Sequence, residues 1–278
     1  MKYLSFLVLF ICTGAFGQRV ITYNILQGMR LDSAAGKPAF VNWVKKMDPD
    51  ILALQEVTGF TQDSLEKLAQ LYGHPYAVLL IEGEKYPVAI TSKHPITHVQ
   101  KITDNMDRGF IMAKILDYNI VCLHFTPFDY RTRKKEVDLL LAHIPPRGKK
   151  WMVMGDFNAV SPQDSAHYKD GRLVAAHESY EKRRAPIKKL KDGRLDYSVI
   201  QKMLDRGFTE AVAKQSPAFV KTMHTKRFEP KKRADVSSRI DFIFVSRDLV
   251  KKIKDARVIV DSFTDNYSDH YPVLLDLK

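Results

Sequence analysis

The sequence predicts an α/β protein in which strands and helices share one layered core. Two patterns carry that reading. The runs Ile51-Leu52-Ala53-Leu54, Ile120-Val121-Cys122-Leu123, Trp151-Met152-Val153-Met154 and Phe242-Ile243-Phe244-Val245 are apolar without alternation, as strands covered on both faces are. Segments of helical period lie between these runs rather than to one side of them; that order mixes the two element types in one core. The composition agrees. A chain of 278 residues that is 45% hydrophobic and 27% charged is too apolar to stay disordered, and two cysteines exclude a disulfide scaffold.

In chain order, strands are expected at Val20–Ile25, Asp50–Val57, Pro87–Thr91, Phe110–Leu116, Asn119–Phe125, Lys150–Phe157, Ile240–Ser246 and Pro272–Leu277, each an apolar stretch of strand length. Helices are expected at Phe40–Lys46 and Thr61–Leu71, on either side of the second strand. Another is expected at Thr132–His143, where Val137, Leu140, Leu141 and Ile144 recur at helical spacing. A fourth, Ser198–Arg206, stops at Gly207, a suitable C-terminal cap. Ser161–Leu195 and Lys214–Arg239 break the rhythm. Both are polar and rich in Lys and Arg, and read as long surface insertions.

Residues 1–17 stand apart from the fold. Met1-Lys2 is a short basic start, Tyr3 to Cys12 an almost uninterrupted apolar run, and Ala15-Phe16-Gly17 offers small residues at a cleavage site. This is the pattern of a secretory signal peptide, and the run is too short to span a bilayer comfortably. The expected organisation is a signal peptide at 1–17 and one domain at 18–278. The mature protein is then exported, holds no disulfide because only Cys122 remains, and has no stable membrane insertion. A monomer is expected.

Polar residues recur at the ends of the apolar runs. Asn24 closes one, Gln55-Glu56 a second, His124 a third and Asp156-Phe157-Asn158 a fourth; Arg239-Ile240-Asp241 opens a fifth, and Ser268-Asp269-His270 precedes the last. Any one of these alone reads more readily as a turn starter or a helix cap. Six together point to one rim of a packed sheet where Asp, Glu, Asn and His converge. An oxygen-rich cluster of this kind suits Mg²⁺ or Mn²⁺ and lacks the Cys/His spacing of a zinc site.

At these residues the sequence resembles the endonuclease/exonuclease/phosphatase superfamily, which includes deoxyribonuclease I, exonuclease III and neutral sphingomyelinases. Tyr23-Asn24, Leu54-Gln55-Glu56-Val57, Leu123-His124, Gly155-Asp156-Phe157-Asn158, Arg239-Ile240-Asp241-Phe242 and Ser268-Asp269-His270-Tyr271-Pro272-Val273 occur in the family's order. The resemblance implies a four-layered α/β sandwich, two β-sheets packed face to face with helices outside. It implies hydrolysis of a phosphoester with Mg²⁺ or Mn²⁺. It also implies roles. Glu56, Asn24 and Asp269 would hold the metal. Asp156 would position or deprotonate the attacking water, and Asn158 would bond the phosphate oxygens. His270, oriented by Asp241, would contact the scissile phosphate. His124 matches a second histidine of the deoxyribonuclease I and sphingomyelinase branch, which exonuclease III lacks. Glu84-Lys85-Tyr86 resembles a triplet that supports this histidine, which makes Glu84 a candidate.

The charge narrows the substrate. With 44 Lys and Arg against 32 Asp and Glu the chain carries +12, concentrated in Arg131–Lys135, Lys182–Arg184, Lys188–Lys191 and Lys226–Arg233. Such runs are often solvated faces, but beside a phosphoesterase rim they favour an anionic partner. Nucleic acid stands slightly ahead of phospholipid or a sugar phosphate, with a catalytically inactive basic binding protein as the reading of another class. Lys231, Lys232 and Arg233 are candidate substrate contacts. Arg108 is another, with a structural salt bridge the equal alternative. His74, His94, His98, His143 and His167 are expected on the surface, His224 is left undecided, and Cys122 reads as an inert core thiol.

Overall fold

The computed structural model describes residues 17–229 and 236–278. Its strands, in chain order, are β1 Arg19–Asn24, β2 Ile51–Gln55, β3 Tyr76–Leu79, β4 Ala89–Ser92, β5 Ile96–Ile102, β6 Phe110–Ile115, β7 Tyr118–His124, β8 Trp151–Asp156, β9 Thr209–Glu210, β10 Asp241–Val245, β11 Ile253–Val258 and β12 Val273–Leu277. They form two six-stranded sheets, ordered β11-β12-β1-β2-β4-β3 and β5-β6-β7-β8-β10-β9.

The continuous apolar runs make sense once both faces are followed. Val20, Ile51, Ala53, Ile120, Cys122, Met152, Met154, Ile243 and Val245 point between the sheets into one buried cluster. Their neighbours along the first sheet, Ile21, Tyr23, Leu52 and Leu54, point outward against the Pro38–Met47 and Gln62–Leu71 helices. On the second sheet, Val121, Leu123, Val153, Phe242 and Phe244 point outward against the Tyr130–His143 and Ser198–Asp205 helices. The result is helix, sheet, sheet, helix: the four-layered sandwich. Each fully buried Val, Leu, Ile or Phe contributes roughly 1.5–3 kcal/mol, so the central strands supply most of the driving force.

Gly155 is required by geometry. It sits in β8 with φ +141°, and a Cβ there would lie 2.0 Å from the Leu123 carbonyl oxygen on β7. Only glycine lets these two central strands approach closely at the rim.

Four strands were not expected, and they are the four sheet edges: β3, β5, β9 and β11. The middle of β5 is exposed, β11 alternates buried and exposed residues, and β9 is two residues long. An edge strand faces water along one side and so lacks the unbroken apolar run that marks a central one.

The two insertions are more than polar loops. The first contains a helix, Arg172–Arg183. Val160, Tyr168, Leu173 and Ile240 form a small core of their own, packed by Leu195, Phe219, Met223 and Val236 from both insertions. Sparse apolar residues among many charges hid it. His74 is likewise buried rather than on the surface. Its Nδ1 lies 2.8 Å from Thr91 Oγ1 and its Nε2 2.8 Å from the Pro49 carbonyl, and burial lowers its pKa to about 4. Cys122 is buried and unpaired, its thiol pushed up to about 12 by burial, which leaves it inert.

Candidate active site

The rim is built by strand register. β1 and β2 run parallel with Asn24 opposite Gln55, so Asn24 and the following Glu56 leave the first sheet side by side. β7 and β8 run parallel with His124 opposite Asp156, and β10 runs antiparallel to β8 with Asp241 opposite Asp156. His124, Asp156 and Asp241 therefore form one row across the end of the second sheet. His270 reaches the same rim from the loop before β12. That loop is tied to β1 by the Ser268 hydroxyl, which donates to the Asn24 carbonyl at 2.6 Å.

Gln55 explains why the pair Gln-Glu ends β2. It is fully buried between the sheets, where its amide donates to Thr22 Oγ1 at 3.0 Å. Glu56 then turns out of the strand with a left-handed φ of 61°. Asn158 also has positive φ, 48°. Such backbone costs of order 1–3 kcal/mol and clusters where a site needs it.

Asp156 is the hub. Its Oδ2 lies 3.2 Å from Asn24 Nδ2, 3.4 Å from His124 Nε2 and 3.9 Å from His270 Nε2, while its Oδ1 accepts the Asn158 backbone N–H at 2.8 Å. Burial works to raise this carboxyl, but the His270 charge and the His124 contact outweigh it and hold it well below the usual range. Asp156 is therefore ionised.

On the far side, His270 Nδ1 meets Asp241 Oδ2 at 2.9 Å. Burial opposes the imidazolium, yet Asp241 and Asp156 together carry its pKa well above the ordinary histidine value. Asp241 itself is raised to about 6, burial first and against the pull of His270. His270 lies higher, so the shared proton rests on the imidazole. His124 is the opposite case: burial and the adjacent Arg108 lower it, and its ring is neutral. One rim thus holds one charged and one neutral imidazole around a single carboxylate.

The oxygen donors fit a hard divalent cation. Asn24 Nδ2 donates to Glu56 Oε1 at 3.4 Å, which sets the two side chains side by side, while Asn24 Oδ1 accepts the Leu26 N–H at 3.2 Å and Glu56 Oε2 is aimed by the Gln27 backbone N–H at 3.0 Å. Asp269 directly follows the tethered Ser268. Asp156, Asp241 and His270 also place one potential ligand atom each within 4.8 Å of one another, but there the Asp241–His270 contact is a hydrogen bond that occupies the imidazole Nδ1.

One expectation changes. Glu84 is exposed, and the groups that touch His124 are Arg108 and Asp156. Arg108 makes the ion pairs that are one of its two expected readings: its Nη1 lies 3.9 Å from Glu56 Oε1 and 3.1 Å from His124 Nδ1, its Nε lies 3.9 Å from Asp107 Oδ2, and its guanidinium stacks 4.2 Å over the Tyr86 ring. Of that triplet, Tyr86 rather than Glu84 reaches the His124 surroundings, through its ring contact with Arg108. Lys231, Lys232 and Arg233 lie outside the described residues, as do residues 1–16.

Thr222 was missed. It is fully buried, and its hydroxyl accepts the Ile240 and Asp241 backbone N–H groups at 3.0 and 3.2 Å. A threonine within a basic insertion carries no sequence signal for this. Its neighbours do the same work: the Tyr271 N–H donates to the Thr222 carbonyl at 2.7 Å, and the Thr225 hydroxyl donates to the Ser268 carbonyl at 2.5 Å. The second insertion is the brace that joins Asp241 to His270.

A two-sheet sandwich with this carboxylate and imidazole rim defines a phosphoester hydrolase. The chain belongs to the Endonuclease/Exonuclease/phosphatase family, whose profile it matches over residues 21–270, and members of that family generally depend on a divalent metal. Solved structures of the same fold include an AP endonuclease from Archaeoglobus fulgidus, with TM-score 0.66, 17% identity and coverage of 94% of this chain and 99% of that one. They also include a substituted form of the 3' phosphatase NExo from Neisseria bound to product DNA hairpin, with TM-score 0.65, 21% identity and coverage of 94% and 99%. The 3'-5' exonuclease NExo from Neisseria meningitidis has TM-score 0.65, 21% identity and coverage of 94% and 100%. No curated protein sequence matches the chain.

Proposed function

We propose that the protein is an exported, divalent-metal-dependent phosphodiesterase acting on nucleic acid. The observation that carries the catalytic part is Asp156, ionised between a charged His270 and a neutral His124, beside the Asn24–Glu56 pair. A phosphodiester repels hydroxide, and its transition state spreads charge over the equatorial oxygens with attacking and leaving oxygens in line. Positioning and electrostatics must lower that barrier.

Asp156 accepts a hydrogen bond from the attacking water and aligns it. Its depressed pKa makes it a weak proton acceptor, so orientation is its larger contribution. The His270 imidazolium, locked by Asp241 through Nδ1, presents Nε2–H to a phosphoryl oxygen and offsets developing charge. Neutral His124 and the Asn158 amide offer further contacts without adding charge; the Asn158 amide also anchors to the Phe125 carbonyl at 2.9 Å. Glu56, Asn24 and Asp269 would hold the metal, Mg²⁺ or Mn²⁺, which supplies Lewis-acid polarisation of the phosphoryl group.

The +12 charge and the DNA bound to a protein of the same fold favour a polyanionic substrate. A panel of DNA, RNA, sphingomyelin, inositol phosphates and nucleotides tests this. Hydrolysis of DNA or RNA at least about tenfold above the others is expected, given the electrostatic attraction of a polyanion. Preference for a lipid or sugar phosphate would overturn the nucleic-acid reading and leave the phosphoesterase intact.

Export rests on the Met1–Gly17 pattern. Among the described residues no helix is long and apolar enough to cross a membrane. N-terminal sequencing of protein recovered outside the cytoplasm should start at or near Gln18. A soluble cytoplasmic product that keeps Met1 would contradict export.

A further inference from the structure

Beside the active rim, the two insertions enclose a cavity of about 480 Å³ that shares Asn158 with the catalytic site. Its wall holds Arg133 and Lys189. Arg133 is only 5% exposed, and one guanidinium nitrogen donates to the Thr126 carbonyl at 3.2 Å. Among the described residues, neither Arg133 nor Lys189 has a carboxylate within 4.0 Å. Lys189 rests 4.7 Å over the Tyr180 ring. Glu181 fixes its backbone: Oε1 accepts the Lys189 and Leu190 N–H groups, each at 2.7 Å. That carboxylate serves Lys188 at 3.7 Å instead.

Arg183 lines the same cavity nearer solvent; His177 and Asp196 line it as well. His177 Nδ1 is buried with no hydrogen-bond partner, and burial followed by the Lys189 and Arg133 charges lowers the ring's pKa to about 3. Among the described residues Asp196 is the one acid lining the cavity, and its carboxylate is engaged by the Ser198 N–H and hydroxyl at 3.3 and 2.8 Å. Burial and the Arg133 charge lower Lys189 to about 8.

Two cations that repel each other in a half-enclosed space are costly, and the carboxylates that attract them, Asp196 first and then Glu136, Asp129 and Asp156 for Arg133 and Asp156 for Lys189, act only from beyond 4.0 Å. An anion entering between them would gain charge-assisted hydrogen bonds from both. The cavity is larger than a phosphate, within the size range of small-ligand sites, and its apolar portion, Val160, Leu173 and Leu195, can cover an attached sugar or base. We propose that this cavity is a subsite for a second phosphate of the substrate, adjacent to the one hydrolysed, gripped by Arg133 and Lys189 with His177 as a further partner. The inference rests on the reading above that Asn158 faces the reacting phosphate.

The test compares thymidine 5′-(p-nitrophenyl phosphate) bearing a free 3′-hydroxyl, a 3′-phosphate or a 3′-methyl phosphate. In the wild type either 3′ group should raise kcat/KM by about tenfold, as one charge-assisted contact does. In Lys189→Met that ratio should fall toward one. Because the ratio is read within each protein, a general loss of activity cancels. Preference for the 3′-phosphate over its methyl ester identifies a terminal phosphate as the occupant; equal preference identifies the next phosphate of a polymer. A wild-type ratio near one, or a ratio unchanged in Lys189→Met, overturns the subsite. Calorimetric titration of inorganic phosphate in excess chelator separates this from the proposed catalysis. One site should bind in the wild type and weaken markedly in Lys189→Met even if no ester is turned over. Equal binding by both proteins overturns the subsite.

Discussion

Replacing Asp156 with Asn, or His270 with Ala, should lower kcat on a phosphodiester by about a hundredfold or more, since each change removes a group acting on the transition state. Asp156 sits within 3.9 Å of Asn24, both histidines and the Asn158 backbone, so a neutral amide there disturbs the water, both imidazoles and the loop at once. Glu56→Gln should instead raise the metal concentration needed for activity. The pH profile gives a sharper sign. His270 acts as the imidazolium, so activity should fall as pH rises through its raised pKa. Below about pH 6 activity should also decline as Asp241 protonates, since that is where its raised pKa lies. Asp241→Asn removes the first attractive charge acting on His270, so the alkaline limb should move to lower pH. Steady-state rates from pH 5 to 10 measure this. A wild-type rate for His270→Ala, or an unmoved alkaline limb in Asp241→Asn, would refute the assignment.

Arg239→Met should destabilise the fold by about 3–5 kcal/mol, the cost of leaving buried charges unpaired. Arg239 is 3% exposed and holds Asp164 through two bonds of 2.9 Å and Glu210 through one of 2.7 Å. Those carboxylates are 8% and 1% exposed. Glu210 also caps the short Ala211–Gln215 helix through the Val212 and Ala213 N–H groups. Arg239 therefore ties the start of the first insertion to an edge strand, two residues before Asp241. Urea denaturation should show the loss, and the triple variant with Asp164→Asn and Glu210→Gln should recover a good part of it. A single variant as stable as the wild type would mean the cluster is not a structural tie.

The central strands were legible because burial on both faces writes an unbroken apolar run, and the rim residues because strand ends place them in fixed register. His124, Asp156 and Asp241 lie in one row for that reason alone. What could not be read is what depends on long-range packing. Edge strands such as β5 share their composition with loops. Thr222 positions Asp241 only because the second insertion folds back onto the His270 loop. The basic runs misled differently. Arg131 pairs with Asp129 at the surface, yet Arg133, two residues on, is buried on the helix face it shares with Val137 and Leu140. Its place four residues before Val137 was the available signal. Lys189 likewise sits in a run of lysines next to buried Leu190.

Metal dependence separates this chemistry from an inert basic protein most directly. Purified protein should be dialysed against excess chelator, assayed on bis-p-nitrophenyl phosphate, then titrated with Mg²⁺ or Mn²⁺. Turnover should vanish on stripping and return saturably with metal, with the Glu56→Gln variant requiring more. Full activity in chelator, or no turnover of any diester with metal restored, would contradict the account.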